Sequence, residues 1–115
     1  SCPGISPKYN ITESKSFMES HVTKQNFYGT GSMVGYLVWD DFCFVNNNDN
    51  YCFNNPLQFV AAYQSTPAFG DFQGLIGLAP NSFKGANAVT PFLRQMENED
   101  KSTLFSIFYC LDTRI

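Results

Sequence analysis

The run Tyr28-Gly29-Thr30-Gly31-Ser32-Met33-Val34-Gly35-Tyr36-Leu37 constrains this chain more than any other. Its three glycines interrupt residues that otherwise favour extended backbone. Glycine reaches positive φ at little steric cost, so Gly29 and Gly31 fit a tight reversal between Phe27-Tyr28 and Met33–Leu37. The expected element is a β-hairpin over about residues 22–45 with its tip at 29–32. Only 15% of the residues are charged and 17% are aromatic, a balance that favours packed strands over a disordered tail. A chain of 115 residues can close one core, and with no internal repeat or linker it reads as one unit.

Residues 1–20 are mostly polar and read as loop with a short turn. Beyond the tip, the second hairpin arm reads on through Val38, Trp39, Phe42 and Phe44 as one long strand with apolar residues on both faces. Leu57, Phe59, Ala61 and Tyr63 alternate with more polar neighbours, the period of another strand. Thr90-Pro91 is a helix start, Thr as N-cap and Pro at the first helical position. Phe92, Leu93 and Met96 then share one face, giving a helix over about 91–99. Leu104 to Leu111 is almost wholly apolar, as in a strand buried on both faces.

Four cysteines in so short a chain favour an oxidising compartment and permit three pairings. Cys43 and Cys52 flank the turn-rich Asn46–Asn50, where antiparallel strand ends would bring them into disulfide range. Cys2 and Cys110 lie at opposite ends and could pair with each other, with a cysteine elsewhere, or with nothing. Zinc is disfavoured, since no CxxC occurs and His21 is the sole histidine. The Asn/Asp run 46–50 makes a poor calcium loop: Tyr51 stands where Gly is required and no Glu closes it. No cofactor motif appears. A net charge of -3 with no basic run argues against nucleic acid as a partner. No apolar run reaches the ~20 residues of a membrane span. Asn10-Ile11-Thr12 is a glycosylation acceptor triplet in a polar segment. The opening Ser-Cys-Pro-Gly reads as that of a processed product or an excerpt.

A second motif, Phe72-Gln73-Gly74-Leu75-Ile76-Gly77-Leu78-Ala79-Pro80, follows the first. In this order and separation the two resemble the N-terminal lobe of pepsin-like aspartic endopeptidases. Lys8-Tyr9-Asn10 with Ser14-Lys15-Ser16-Phe17 is similar to the stretch preceding the flap there, and Phe105–Tyr109 to the strand after the lobe's helix. The resemblance implies a mainly β fold with one short helix, residues 1–115 being part of that lobe. It makes the first motif the substrate-covering flap and residues 72–80 a hydrophobic-hydrophobic-glycine strand beneath the active site. Tyr28 would cap the cleft, and Gly29 and Thr30 would bond substrate through their backbones. Phe72 and Leu75 would line the pocket for the side chain before the scissile bond. Ile76 and Gly77 would support the catalytic loop, with backbone too close to Gly77 for a side chain. Cys2 is similar to one of a close cysteine pair in that family. Gln73, where Asp is common, and the Cys43–Cys52 insert depart from the pattern.

The family's chemistry needs two carboxylates sharing one proton, because like charges about 3 Å apart cannot both ionise. Each sits in an Asp-Thr/Ser-Gly turn, and by the resemblance the first lies upstream of Ser1 and the second beyond Ile115. Asp112-Thr113 is followed by Arg114 and not glycine, and Asp40-Asp41, adjacent on a strand, point to opposite faces. The chain therefore carries no catalytic residue of its own and is expected to be inactive alone. The partners implied are the remainder of the protease, namely the upstream strand with the first aspartate and the C-terminal lobe, and a polypeptide substrate. The compartment implied is the secretory pathway, with a secreted or lysosomal/vacuolar product. Two other readings stand beside this one: a pepsin-like module that has lost catalysis, and an unrelated secreted β domain.

Overall fold

The computed structural model describes residues 8–29, 31–45, 47–66, 74–79 and 90–109. Strand β1, Met18–Tyr28, turns back into β2, Gly31–Asp40, and β5, Leu57–Ser65, lies along the other edge of β2. All three run antiparallel. The register pairs Tyr28 with Gly31, so residues 29 and 30 alone connect the arms. Thr30 lies outside the described residues. Side-chain exposure alternates along most of β1, as the period of two requires of a strand with one covered face. The fully covered positions fall where β2 is flanked on both sides: Leu37 and Val38, with Leu57 at the start of β5.

Two irregularities shape the sheet. One is a bulge between Glu19 and Val22, where His21 takes a left-handed φ of 60°. The Ser20 hydroxyl fills it, donating to the Leu37 carbonyl at 2.6 Å and accepting from the Val22 N–H at 3.2 Å. The other lies between Val34 and Gly35. A Cβ at Gly35 would sit 2.4 Å from the Ala61 carbonyl oxygen, so only glycine lets β5 lie this close.

The second arm does not run through to Phe44 as one strand. It stops at Asp40, and Cys43–Val45 (β3) pairs with Asn50–Cys52 (β4) as a separate hairpin. The cause is aromatic packing: Phe42 and Phe44 turn toward Phe53 and Phe92, with ring centroids 4.9 to 6.2 Å apart within the cluster. Cys43 and Cys52 are register partners and are disulfide-bonded. Closing a loop this short contributes about 2–3 kcal/mol. Replacing both cysteines by serine should lower stability by that amount, read as a shift of the urea midpoint, and leave the three-stranded sheet intact. Cys2 and Cys110 lie outside the described residues.

Helix α1 spans Phe92–Asn98, within the expected 91–99. Its cap is Pro91 and not Thr90, with no side-chain cap bond. Thr90 is held instead by the two amides that dock the helix on β5. Gln95 accepts from the Gln58 N–H at 2.7 Å and donates to the carbonyls of Gln58 and Thr90. Gln58 Oε1 in turn accepts from the Thr90 N–H. The buried Glu99 carboxylate accepts from the backbone N–H groups of Asn54 and Asn55, fixing the turn after β4.

The expected strands at 72–80 and 104–111 differ in the structure. Residues 74–79 and 101–109 have no strand pairing, and their large apolar side chains are exposed, Leu75 at 59% and Leu104 at 90%. An apolar strand forms only against a neighbour that bonds its edge and covers its faces, and no described residue does either here. Phe72, Gln73 and Pro80 lie outside the described residues, as do residues 110–115 with Asp112. No described helix is long and apolar enough to cross a membrane.

Candidate functional site

The tip of the β1–β2 hairpin projects past the third strand, because β2–β5 pairing begins only at Met33 opposite Ser65. Thr66 closes that end of the sheet: its N–H donates to the Ser32 carbonyl at 3.0 Å, and its hydroxyl accepts from the Ser32 N–H at 3.2 Å. Tyr28 and Gly31, paired with each other, therefore lie beyond the last bracket between β2 and the end of β5 among the described residues. Phe27 is 76% exposed and Tyr28 is also exposed, so two aromatic rings are presented next to a loop with almost no side chain.

Gly29 does not occupy the left-handed region, so the reversal does not use the positive φ expected of it. A Cβ there would meet nothing within 4 Å among the described residues. The turn itself thus makes no demand for glycine at 29. What bareness at this position offers is close approach of a backbone to something outside.

The other end of the hairpin is fixed by a cluster that the sequence reading missed. Asp40, the last residue of β2, is 4% exposed and accepts four hydrogen bonds. Oδ2 takes the hydroxyls of Tyr9 and Ser14, each at 2.6 Å. Oδ1 takes the Ser16 hydroxyl at 2.5 Å and the Asp41 N–H at 2.7 Å. Burial pushes the carboxyl up, but the donors outweigh it and hold Asp40 at about 2, ionised under all ordinary conditions. Burial, the hydrogen bond to Asp40 and its charge push the Tyr9 hydroxyl far above the ordinary phenol range. The Tyr9 ring also packs edge-on against Phe59 at 5.0 Å, so the 9–16 segment is pinned to both β2 and β5.

This carboxylate is a poor candidate for acid–base work. Its lone pairs are taken, its basicity is low, and the adjacent Asp41 is exposed. Among the described residues no group of three or more His, Cys, Asp or Glu gathers that could hold a metal ion.

Of the residues singled out for substrate contact, Tyr28 and Gly29 lie together at the projecting tip. Leu75 and Ile76 lie in the exposed irregular segment 74–79. Around Gly77 the expected crowding is not found: an added Cβ meets nothing within 4 Å among the described residues. The backbone that would crowd it is not among the described residues. Asn10 is exposed.

The chain is 30% identical over 111 residues to Pepsin-3 of Oryctolagus cuniculus, a match covering 91% of this chain and 27% of that protein. It thus spans about a quarter of the length of this curated relative. No family model matches the chain, and no solved structure does so significantly.

Proposed function

We propose that this chain is a portion of the N-terminal lobe of a pepsin-like aspartic endopeptidase and supplies its substrate-covering flap. In that reading Tyr28 caps the cleft, and the backbones of Gly29 and Thr30 bond an extended polypeptide. Phe72 and Leu75 line the pocket before the scissile bond, while Ile76 and Gly77 back the catalytic loop. The observation that carries the reading is the tip: a two-residue loop beyond the last inter-strand bracket, flanked by an exposed tyrosine, bearing a glycine that its own turn does not need. Similarity to a pepsin along most of the chain supports the same reading. The exposed apolar faces at 75–78 and 104–109 are the surfaces that the upstream strand and the C-terminal lobe would cover.

The chemistry of such an enzyme lies in two aspartates outside this chain, one accepting a proton from water while the other polarises the peptide carbonyl. What the chain itself contributes is positioning and exclusion of water. The secretory route, with a secreted or lysosomal/vacuolar product, belongs to the same proposal and is supported by the Cys43–Cys52 disulfide.

The 115-residue chain alone should not cleave an unfolded protein at about pH 3 to 6. The complete protein should do so in a pepstatin-sensitive manner. In it, Gly29→Ala and Tyr28→Ala should each lower kcat/KM roughly tenfold or more, the scale of about 1.4 kcal/mol or more in transition-state binding. Thermal midpoints should move little, because both sites are exposed. Unchanged turnover in both variants would remove the flap assignment. A complete protein with no turnover would favour the inactive module.

A further inference from the structure

Asn10-Ile11-Thr12 is the chain's one Asn-X-Ser/Thr triplet, and the hairpin makes no use of it. The structure places it at the head of a turn over residues 11–13, where the Glu13 N–H donates to the Asn10 carbonyl at 3.1 Å. Asn10 is exposed, and Thr12 donates to its Oδ1 twice, through its backbone N–H at 3.0 Å and its hydroxyl at 2.7 Å. It is Oδ1 that Thr12 engages, and not Nδ2. Two donors on Oδ1 draw electron density toward the oxygen and ease loss of an Nδ2 proton. The neighbouring Tyr9 is fixed on Asp40 and Phe59, and Asn10 is none of the four donors to that carboxylate.

We infer that Asn10 is an acceptor of an N-linked glycan. Its donor class is a polyprenyl-diphosphate-linked oligosaccharide. Nδ2 attacks the anomeric carbon and an N–C bond forms. The C–O bond to the diphosphate breaks and its electron pair leaves with the lipid diphosphate, while the Nδ2 proton passes to a base of the transferase. The product keeps the Asp40 anchor intact and puts a bulky, solubilising group on the exposed turn beside it. The inference rests on the proposed secretory route and not on peptidase activity.

The test is translation of the full chain, fused to an endoplasmic-reticulum signal sequence, in the presence of microsomes, with only the protease-protected product scored. That product should carry one glycan, removed by peptide N-glycosidase to leave Asp at position 10. The shift should vanish in Asn10→Gln and in Thr12→Ala and persist in Thr12→Ser, which keeps the hydroxyl. A protease-protected chain with unmodified Asn10 would overturn the assignment. Because protection is scored separately from turnover, this result is independent of whether the complete protein hydrolyses peptides.

Discussion

Replacing Asp40 with Ala is expected to lower the stability of the fold by about 2–4 kcal/mol, enough to shift a thermal midpoint by roughly 10 °C. The variant strands three hydroxyls and one backbone N–H whose shared acceptor is gone. Tyr9, Ser14 and Ser16 can recover part of the loss by hydration, which is why the figure stays below a sum of four charged hydrogen bonds. Asp40→Asn should cost less, since its oxygen can still serve Ser16 and the Asp41 N–H while its amide faces hydroxyls able to accept. The pH dependence separates charge from shape. Folding holds the carboxyl at about 2, below the ordinary value of 3.8. Stabilisation from its charge is therefore complete above the unfolded value and is lost as pH falls through the folded one. The gap in midpoint between wild type and Asp40→Asn should hold from neutral pH down to about 4 and then shrink toward about 2. A gap constant across that window would mean that the charge contributes nothing. An anchor still ionised at acidic pH also suits a lobe proposed to work where two carboxylates share a proton.

The hairpin was legible in the sequence because its signals are local: glycines mark the tip and strand formers flank it, even though Gly29 does not use the left-handed φ that makes glycine a turn signal. The β5 strand and the helix were legible for the same reason, as periods of two and of 3.6. Asp40 was not, because its side-chain donors lie 24 to 31 residues away and no spacing rule links Tyr9, Ser14 and Ser16 to a strand end. The early stop of β2 was hidden too. Phe42 and Phe44 read as strand residues, and only the presence of Phe53 and Phe92 beside them makes a cluster the better burial. Residues 75–78 and 104–109 show the limit from the other side. Their apolar character states that something should cover them, but a run of apolar residues does not specify its neighbour.

The glycines make the same point and give the sharpest test. The sequence pattern points to crowding at Gly77, where the described residues leave open space; the glycine that the described residues do crowd is Gly35. There an added Cβ would lie 2.4 Å from the Ala61 carbonyl oxygen, 2.7 Å from its carbon and 2.7 Å from Val60 Cγ1. The Val60 methyl can rotate away. The Ala61 carbonyl belongs to the backbone of β5, and it can yield only if that strand moves. The φ of Gly35 lies outside the left-handed region, so the demand is for space and not for a special dihedral. Gly35→Ala should therefore cost about 2–3 kcal/mol and Gly35→Val about 3 kcal/mol or more, at the upper end of overpacking because backbone is struck. Gly77→Ala, with open space among the described residues, should stay within about 0.5 kcal/mol in this chain. Urea midpoints at constant slope would read both, and a neutral Gly35→Ala would show that β5 is free to slide. Displacing β5 would also loosen the Thr66 bracket on Ser32, the last tie before the projecting tip. The Gly35 variants should accordingly speed amide exchange at Ser32 and Met33 more than at Leu37, whose side chain is buried in the centre of the sheet.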